Sequence, residues 1–132
     1  ISFRQKYGIF SAKIKLGNPQ ARNSFWLIAD KITPHVNICT TSDGNVWLGL
    51  FDENGRKVKS KLGSRYAAKS FIFTLEWTPQ MMVWKINGTE ALKLTENVPQ
   101  EPMFVNLSGG TTRPLNGMTS MEIDWVRVYQ MK

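Results

Sequence analysis

Along most of this chain an apolar residue returns at every second position. Phe10, Ala12, Ile14 and Leu16 share one side of an extended segment, with Ser11, Lys13 and Lys15 on the other. Val46, Leu48 and Leu50 alternate with Trp47, Gly49 and Phe51, so that segment is covered on both sides. Phe71, Phe73, Leu75 and Trp77 form another one-sided row. Met82, Trp84 and Ile86 then lead into Asn87-Gly88, a pair suited to the two positive-φ positions of a tight hairpin. Leu92 and Leu94 follow that turn, Val105 and Leu107 mark a further strand, and Met121 to Gln130 a last one. Turn signals at Gly17-Asn18-Pro19, Asp43-Gly44, Asn54-Gly55, Gly109-Gly110 and Asn116-Gly117 separate the runs. No segment carries a helical apolar stripe, and there is no internal repeat, low-complexity tract or linker. About eight to ten short strands, several of them apolar on both faces, predict an all-β sandwich of two packed sheets.

A chain of 132 residues is expected to hold one domain. Its 42% hydrophobic content, with five Trp, seven Phe and three Tyr, suffices for a packed core and argues against disorder. No apolar run approaches the ~18 residues that span a bilayer, and no signal-peptide pattern stands at the start. The chain opens at Ile1, in what reads as strand material, so a processed or excised piece of a longer protein is expected. The lone Cys39 excludes an internal disulfide framework. One Cys and one His cannot close a four-ligand zinc site without carboxylates from elsewhere, and no cofactor is expected.

Charge narrows the partners. A formal net charge of +7 favours something acidic: nucleic acid, an anionic polysaccharide or a membrane surface. The 17 Lys and Arg are scattered, however. Their densest cluster, Arg56-Lys57-Val58-Lys59-Ser60-Lys61, reads as a solvated loop or an edge strand whose lysines discourage edge-to-edge pairing. Nucleic acid is the weakest of these partners, because the basic residues carry no recognised motif and no interleaved aromatics on one sheet face.

Four segments, in order, resemble family 16 of the glycoside hydrolases, the laminarinase, lichenase and agarase group. Tyr7 to Leu16 is similar to the family's YGxFxAxxKL strand. Ser24-Phe25-Trp26-Leu27-Ile28, then Pro34 and His35 to Thr40, resemble its FWL…PEIDIxE stretch. Phe71 to Pro79 with Met82 to Gly88 resemble the EWTP and W-x-x-DG hairpin. Phe104 to Leu107 and Glu122 to Gln130 resemble the closing LN and DWVRVYQ strands. The resemblance implies a concanavalin-like antiparallel jelly roll with a sugar cleft across its concave sheet. It covers most of residues 1–132 as one partial domain and begins inside the family's domain, so the family's N-terminal strands are expected to be missing. It also implies a secreted, periplasmic or cell-surface location, and a polysaccharide or oligosaccharide, anionic in view of the charge, as partner.

The family's catalytic strand reads E-x-D-x-x-E. Retaining hydrolysis needs two carboxyl groups ~5–5.5 Å apart, one as nucleophile and one as acid/base. By resemblance, His35 stands at the nucleophile position, Asn37 at the assisting Asp and Thr40 at the acid/base, and none of them is an acid. A threonine hydroxyl is too weak an acid to protonate a leaving oxygen, and an asparagine amide carries no charge. A histidine titrates near neutrality, but a lone base leaves half the mechanism unfilled. On the residues alone, His35 equally suits a hydrogen-bonded strand histidine.

By the same resemblance Trp26 and Asn106 line the cleft, the one as a flat platform for a sugar's C–H face and the other as an amide for its hydroxyls. Trp47, one strand on, is a third contact by position, although its spacing equally suits a core residue. Trp77, Trp84 and Trp125 are expected in core or hairpin packing. Glu122-Ile123-Asp124 and Glu76 are read as structural. Phe71 stands where the family often carries a His.

The leading expectation is thus a carbohydrate-binding relative of retaining endo-glycosidases that lacks their catalytic acids. One competitor is a divergent glycosidase drawing its acids from Asp30, Asp43, Asp52 or Glu53, which have no motif spacing. The other is a structural module that binds no sugar and holds a protein partner through an exposed sheet edge or basic surface.

Overall fold

In a computed structural model of the chain, the described residues are 4–17, 23–29, 35–42, 44–51, 57–63, 66, 69–96, 98–108 and 121–130. Each alternating row in the sequence becomes a strand, because a pleated backbone sends successive side chains to opposite faces. The strands are β1 (Arg4–Gln5), β2 (Gly8–Lys15), β3 (Ser24–Ile28), β4 (His35–Ser42), β5 (Asn45–Phe51), β6 (Lys57–Leu62), β7 (Ser70–Trp77), β8 (Met82–Ile86), β9 (Thr89–Leu94), β10 (Met103–Ser108) and β11 (Glu122–Tyr129). This exceeds the expected count because β1 has only two residues and no apolar row to reveal it. The lysine cluster proves to be an edge strand, β6.

The strands form two antiparallel sheets. One is six-stranded, in the order β1-β10-β3-β4-β5-β6, and the other five-stranded, in the order β11-β2-β7-β8-β9. This is the two-sheet jelly-roll sandwich that the resemblance implied. Phe25, Leu27, Val36, Val46, Leu48 and Leu50 of the first sheet face Phe10, Ala12, Ile14, Phe73, Leu75, Trp77 and Trp84 of the second, and all are buried. Burial of these side chains, at about 1.5–3 kcal/mol for each large aliphatic one, holds the sheets together. Among the described residues no helix is long and apolar enough to cross a membrane.

Two turns need particular backbones. Asn87 and Gly88 have φ of 50° and 84°, as the hairpin reading requires. The Asn87 amide N–H donates to the Ile72 carbonyl at 2.8 Å, and Asn87 Oδ1 accepts from the Ile72 N–H at 2.8 Å, which fastens the hairpin tip to β7. At the other corner, Tyr7 and Gly8 carry φ of 63° and 122° as the chain passes from β1 in one sheet to β2 in the other. Buried Gln5 locks that corner, donating from Nε2 to the Tyr7 carbonyl at 2.7 Å and to the Tyr129 carbonyl at 3.1 Å. Tyr7 stacks edge-on against Trp77 at 5.2 Å, and its hydroxyl meets Gln100 Oε1. Trp77 in turn donates from Nε1 to the Pro99 carbonyl at 3.1 Å.

The outward face of the five-stranded sheet carries matched charges. Lys13 pairs with Asp124 at 3.6 Å, Lys15 with Glu122 at 3.5 Å and Lys85 with Glu76 at 2.8 Å. These carboxylates therefore cross-link strands, as read from the sequence, each exposed pair contributing at most about 1 kcal/mol. Trp125 departs from expectation. It lies opposite Lys13 on this outward face, stacked under the Arg127 guanidinium at 4.2 Å, and not in the core. A bulge between Ile123 and Trp125 shifts the alternation that a plain reading assumes. Pro34, Asn54-Gly55, Gly109-Gly110, Asn116-Gly117 and the Asn18-Pro19 part of the first turn lie outside the described residues.

Gly8 gives the sharpest test of this packing. A Cβ there would sit 2.2 Å from the Tyr129 carbonyl oxygen and 2.3 Å from Gln5 Nε2, on a positive φ. Gly8→Ala is expected to cost about 2 kcal/mol or more, or to prevent folding. Gly63→Ala, where a Cβ meets nothing within 4 Å, should stay within about 0.5 kcal/mol of the parent in urea denaturation.

Candidate functional site

The site is built around an irregularity in β4. Asn37 lies opposite Trp26 of β3 and Gly49 of β5, while Thr40 lies opposite Ser24 and Trp47. Three steps along β4 thus match two along each neighbour, which is a bulge at Ile38-Cys39. Without it, Thr40 would face away from Asn37. The extra residue returns it to the side of His35 and Asn37, and Ile38 and Cys39 both turn into the core. Two features hold the bulge. Trp84 of the opposite sheet donates from Nε1 to the Asn37 carbonyl at 2.9 Å, and Gly49 takes φ 147°, a conformation that favours glycine.

The register then draws rows across the outward face of the six-stranded sheet. The central row runs Asn106, Trp26, Asn37, Gly49, Lys59. On one side stand Phe104, Ile28, His35, Phe51 and Lys57, and on the other Ser108, Ser24, Thr40, Trp47 and Lys61. Every residue singled out from the sequence as a ligand contact therefore shares this one face. Trp26 is half-buried and packs edge-on against His35, with ring centres 5.8 Å apart at 88°. Its Nε1 is shut off from solvent and has no hydrogen-bond acceptor among the described residues. His35 and Asn37 are half-buried, and Asn106 is exposed.

Two placements refine the sequence reading. Thr40 is 8% exposed, and its hydroxyl meets that of Ser24 at 2.5 Å, so it is the least accessible of the set. Trp47 is half-buried on the outward face, outside the core cluster, with the Lys61 ammonium 5.9 Å from its ring centre. Sequence reasoning missed Gly49 and Ser24. The signal for Gly49 was a lone glycine inside an apolar strand, a common mark of a bulge or close approach. Asp30, Asp43, Asp52 and Glu53 lie outside the described residues. Among the described residues no three His, Cys, Asp or Glu gather as a metal site.

The three central positions of this arrangement hold an imidazole, an amide and a hydroxyl, and no carboxylate. It offers amides, an aromatic face and an imidazole, all of which hydrogen-bond or stack with polyols. Cys39 is fully buried. Burial pushes its thiol well above the usual range, outweighing the hydrogen bond from the Phe25 backbone.

Two outcomes are expected of the bulge. Trp84→Phe strands the Asn37 carbonyl without its donor and should cost about 1–3 kcal/mol in urea unfolding, with faster amide exchange at Ile38 to Thr40 than elsewhere in β4. Cys39 should resist thiol reagents at neutral pH in the native protein and react at the rate of an ordinary thiol once denaturant unfolds it.

The chain matches no family model and no curated protein sequence. Solved structures are more informative. An endo-β-galactosidase from Clostridium perfringens that releases GlcNAcα1-4Gal superposes with a TM-score of 0.77 at 19% identity, over 96% of this chain and 38% of its own. The laminarinase catalytic domain from Thermotoga maritima gives 0.73 at 18% identity, over 98% of this chain and 66% of that one. The κ-carrageenase from Zobellia galactanivorans gives 0.73 at 19% identity, over 98% and 69%. The chain thus spans from 38% to 69% of the length of these structures. The likeness read from the family 16 motifs extends to tertiary structure, and the chain has the two-sheet jelly-roll fold of the laminarinase, κ-carrageenase and endo-β-galactosidase structures.

Proposed function

We propose that this chain binds polysaccharide or oligosaccharide on the outward face of its six-stranded sheet and does not hydrolyse it. The observation that carries the reading is the central row, in which the amides of Asn106 and Asn37 flank the ring of Trp26. A pyranose laid along that row would stack its C–H face on the indole and share its hydroxyls with the two amides. His35 stands beside the row and Trp47 diagonal to it, both in reach of a second residue of the same glycan. The solved structures of this fold that act on glycans support a carbohydrate partner.

The non-hydrolytic part rests on chemistry. Loss of both the nucleophile and the acid/base removes the two groups through which retaining cleavage proceeds. His35 alone supplies one proton acceptor and no matching acid. The chain acts as one partial jelly-roll domain of a secreted, periplasmic or cell-surface protein. Its +7 charge makes anionic glycans its tighter ligands, with affinity that falls as salt rises. A second reading has its own observation: β11 lies at a sheet edge with Ile123 and Val126 exposed at 43% and 36%, suited to holding a protein by that edge.

Assayed against β-1,3- and mixed-linkage glucans, galactans and sulfated galactans, the purified chain should release no reducing ends above a blank. Titration calorimetry with the same panel should find millimolar to micromolar binding, ~4–8 kcal/mol. Trp26→Ala should weaken it about tenfold or more, and Asn106→Ala, at an exposed position, should weaken it without altering the melting temperature. Clear hydrolysis would return the chain to the enzymes. No binding to any glycan, with Trp26→Ala indifferent, would leave the sheet-edge reading standing.

A further inference from the structure

We propose that the β5–β6 side of the site face is an anion subsite, built on Lys61 and Trp47 with Lys57 and Lys59 in the same column, that takes the sulfate or carboxylate substituents of a bound glycan. The proposal rests on the carbohydrate reading and specifies which part of the face recognises charge.

The register carries it. Lys57 lies opposite Phe51, Lys59 opposite Gly49 and Lys61 opposite Trp47, so all three lysines stand on the sheet side that holds Trp26, His35 and Asn37. Alternate residues of a strand are ~7 Å apart, which gives a column of cations bordering the rows where a sugar chain would lie. Serving only to blunt a sheet edge, lysines need no particular relation to a site. Here each one ends a row that begins in the site.

At every paired position of the outward face, from Arg4 through β10, β3, β4 and β5 to Lys61, there is no Asp or Glu. The outward face of the other sheet is the opposite case, where Lys13, Lys15 and Lys85 each meet a carboxylate. Lys61 is exposed, with its ammonium near the Trp47 ring and no carboxylate beside it among the described residues. An ammonium held over an aromatic face keeps its donors for an incoming anion, and the ring beside it offers the stacking surface. An anionic substituent on a sugar stacked against Trp47 would meet the Lys61 ammonium, with Lys59 and Lys57 at the next register positions of β6.

The test compares two variants that each remove three positive charges: Lys57→Gln, Lys59→Gln, Lys61→Gln on β6, and Lys13→Gln, Lys15→Gln, Lys93→Gln on the other sheet. Binding of a sulfated galactan, its desulfated form and a polyuronate is measured by calorimetry across a salt series, with circular dichroism confirming the fold. The β6 variant is expected to lose about tenfold in affinity for the anionic glycans, to show a flatter salt dependence and to keep its affinity for the desulfated galactan. Lys61→Gln alone should reproduce part of the loss and guards against an edge-strand defect in the triple variant. A response to sulfated galactan but not to polyuronate assigns the subsite to sulfate, and the reverse assigns it to carboxylate. Equal losses in both triple variants, or unchanged binding in the β6 variant, would overturn the subsite while leaving glycan binding in place. If the parent binds the desulfated galactan alone, the subsite is likewise overturned. If it binds none of the three, both the glycan reading and the subsite fall.

Discussion

The bond from the Trp84 indole to the Asn37 carbonyl, 2.9 Å long and crossing from one sheet to the other, is the interaction on which the site depends. A bulge frees a backbone carbonyl from the regular ladder, and a carbonyl turned toward a core must find a donor or lose the desolvation cost in full. Trp84 is 1% exposed and supplies that donor from beneath. With the acceptor satisfied, β4 can carry one residue more than its neighbours over the same length. Ile38 and Cys39 then both enter the core, and His35, Asn37 and Thr40 emerge together on the outward face. A core tryptophan thereby sets, through one backbone carbonyl, the presentation of the outward side chains.

Around that bulge the two faces of the six-stranded sheet do different work. The inward face is aliphatic and aromatic, and packing fixes it. The outward face mixes amides, hydroxyls, an imidazole and half-buried rings, groups that packing alone does not require. The same strand geometry that could carry two carboxylates here carries an imidazole, an amide and a hydroxyl. Fold and chemistry are separable in this way because the Trp84 bond that holds the bulge goes to a backbone carbonyl and not to an outward side chain.

The two sheets are also joined at a corner by Gln5, buried and donating to carbonyls of both Tyr7 and Tyr129. Gly8 is required there because the Tyr129 carbonyl occupies the space a side chain would need. Charge is divided between the outward faces in the same uneven manner. One sheet pairs Lys13, Lys15 and Lys85 with carboxylates across strands, and the other ends its rows in lysines at an edge. The field of a charged column acts over several ångströms and survives wherever salt does not screen it.

Much of this was legible in the residues themselves. Period-two rows such as Phe10, Ala12, Ile14 and Phe71, Phe73, Leu75 announce strands and their inward faces, since the pleat alone decides which side each residue takes. Asn87-Gly88 announces its turn because few other pairs tolerate two positive φ values. The motif spacing of His35, Asn37 and Thr40 pointed to a shared face. Other features depended on partners distant in sequence. Trp125 reads as core until the bulge beside Asp124 turns it outward, and Thr40 reads as open until Ser24 closes over it. The Lys57, Lys59, Lys61 strand reads as an ordinary solvated edge until its register with Trp47, Gly49 and Phe51 places it at the end of the site's rows. Alternation is a local property of the backbone, so the sequence by itself determined which residues form strands and which turn inward. Register, bulges and cross-sheet hydrogen bonds join residues far apart in the chain, and only the tertiary structure decided which side chains meet on one face.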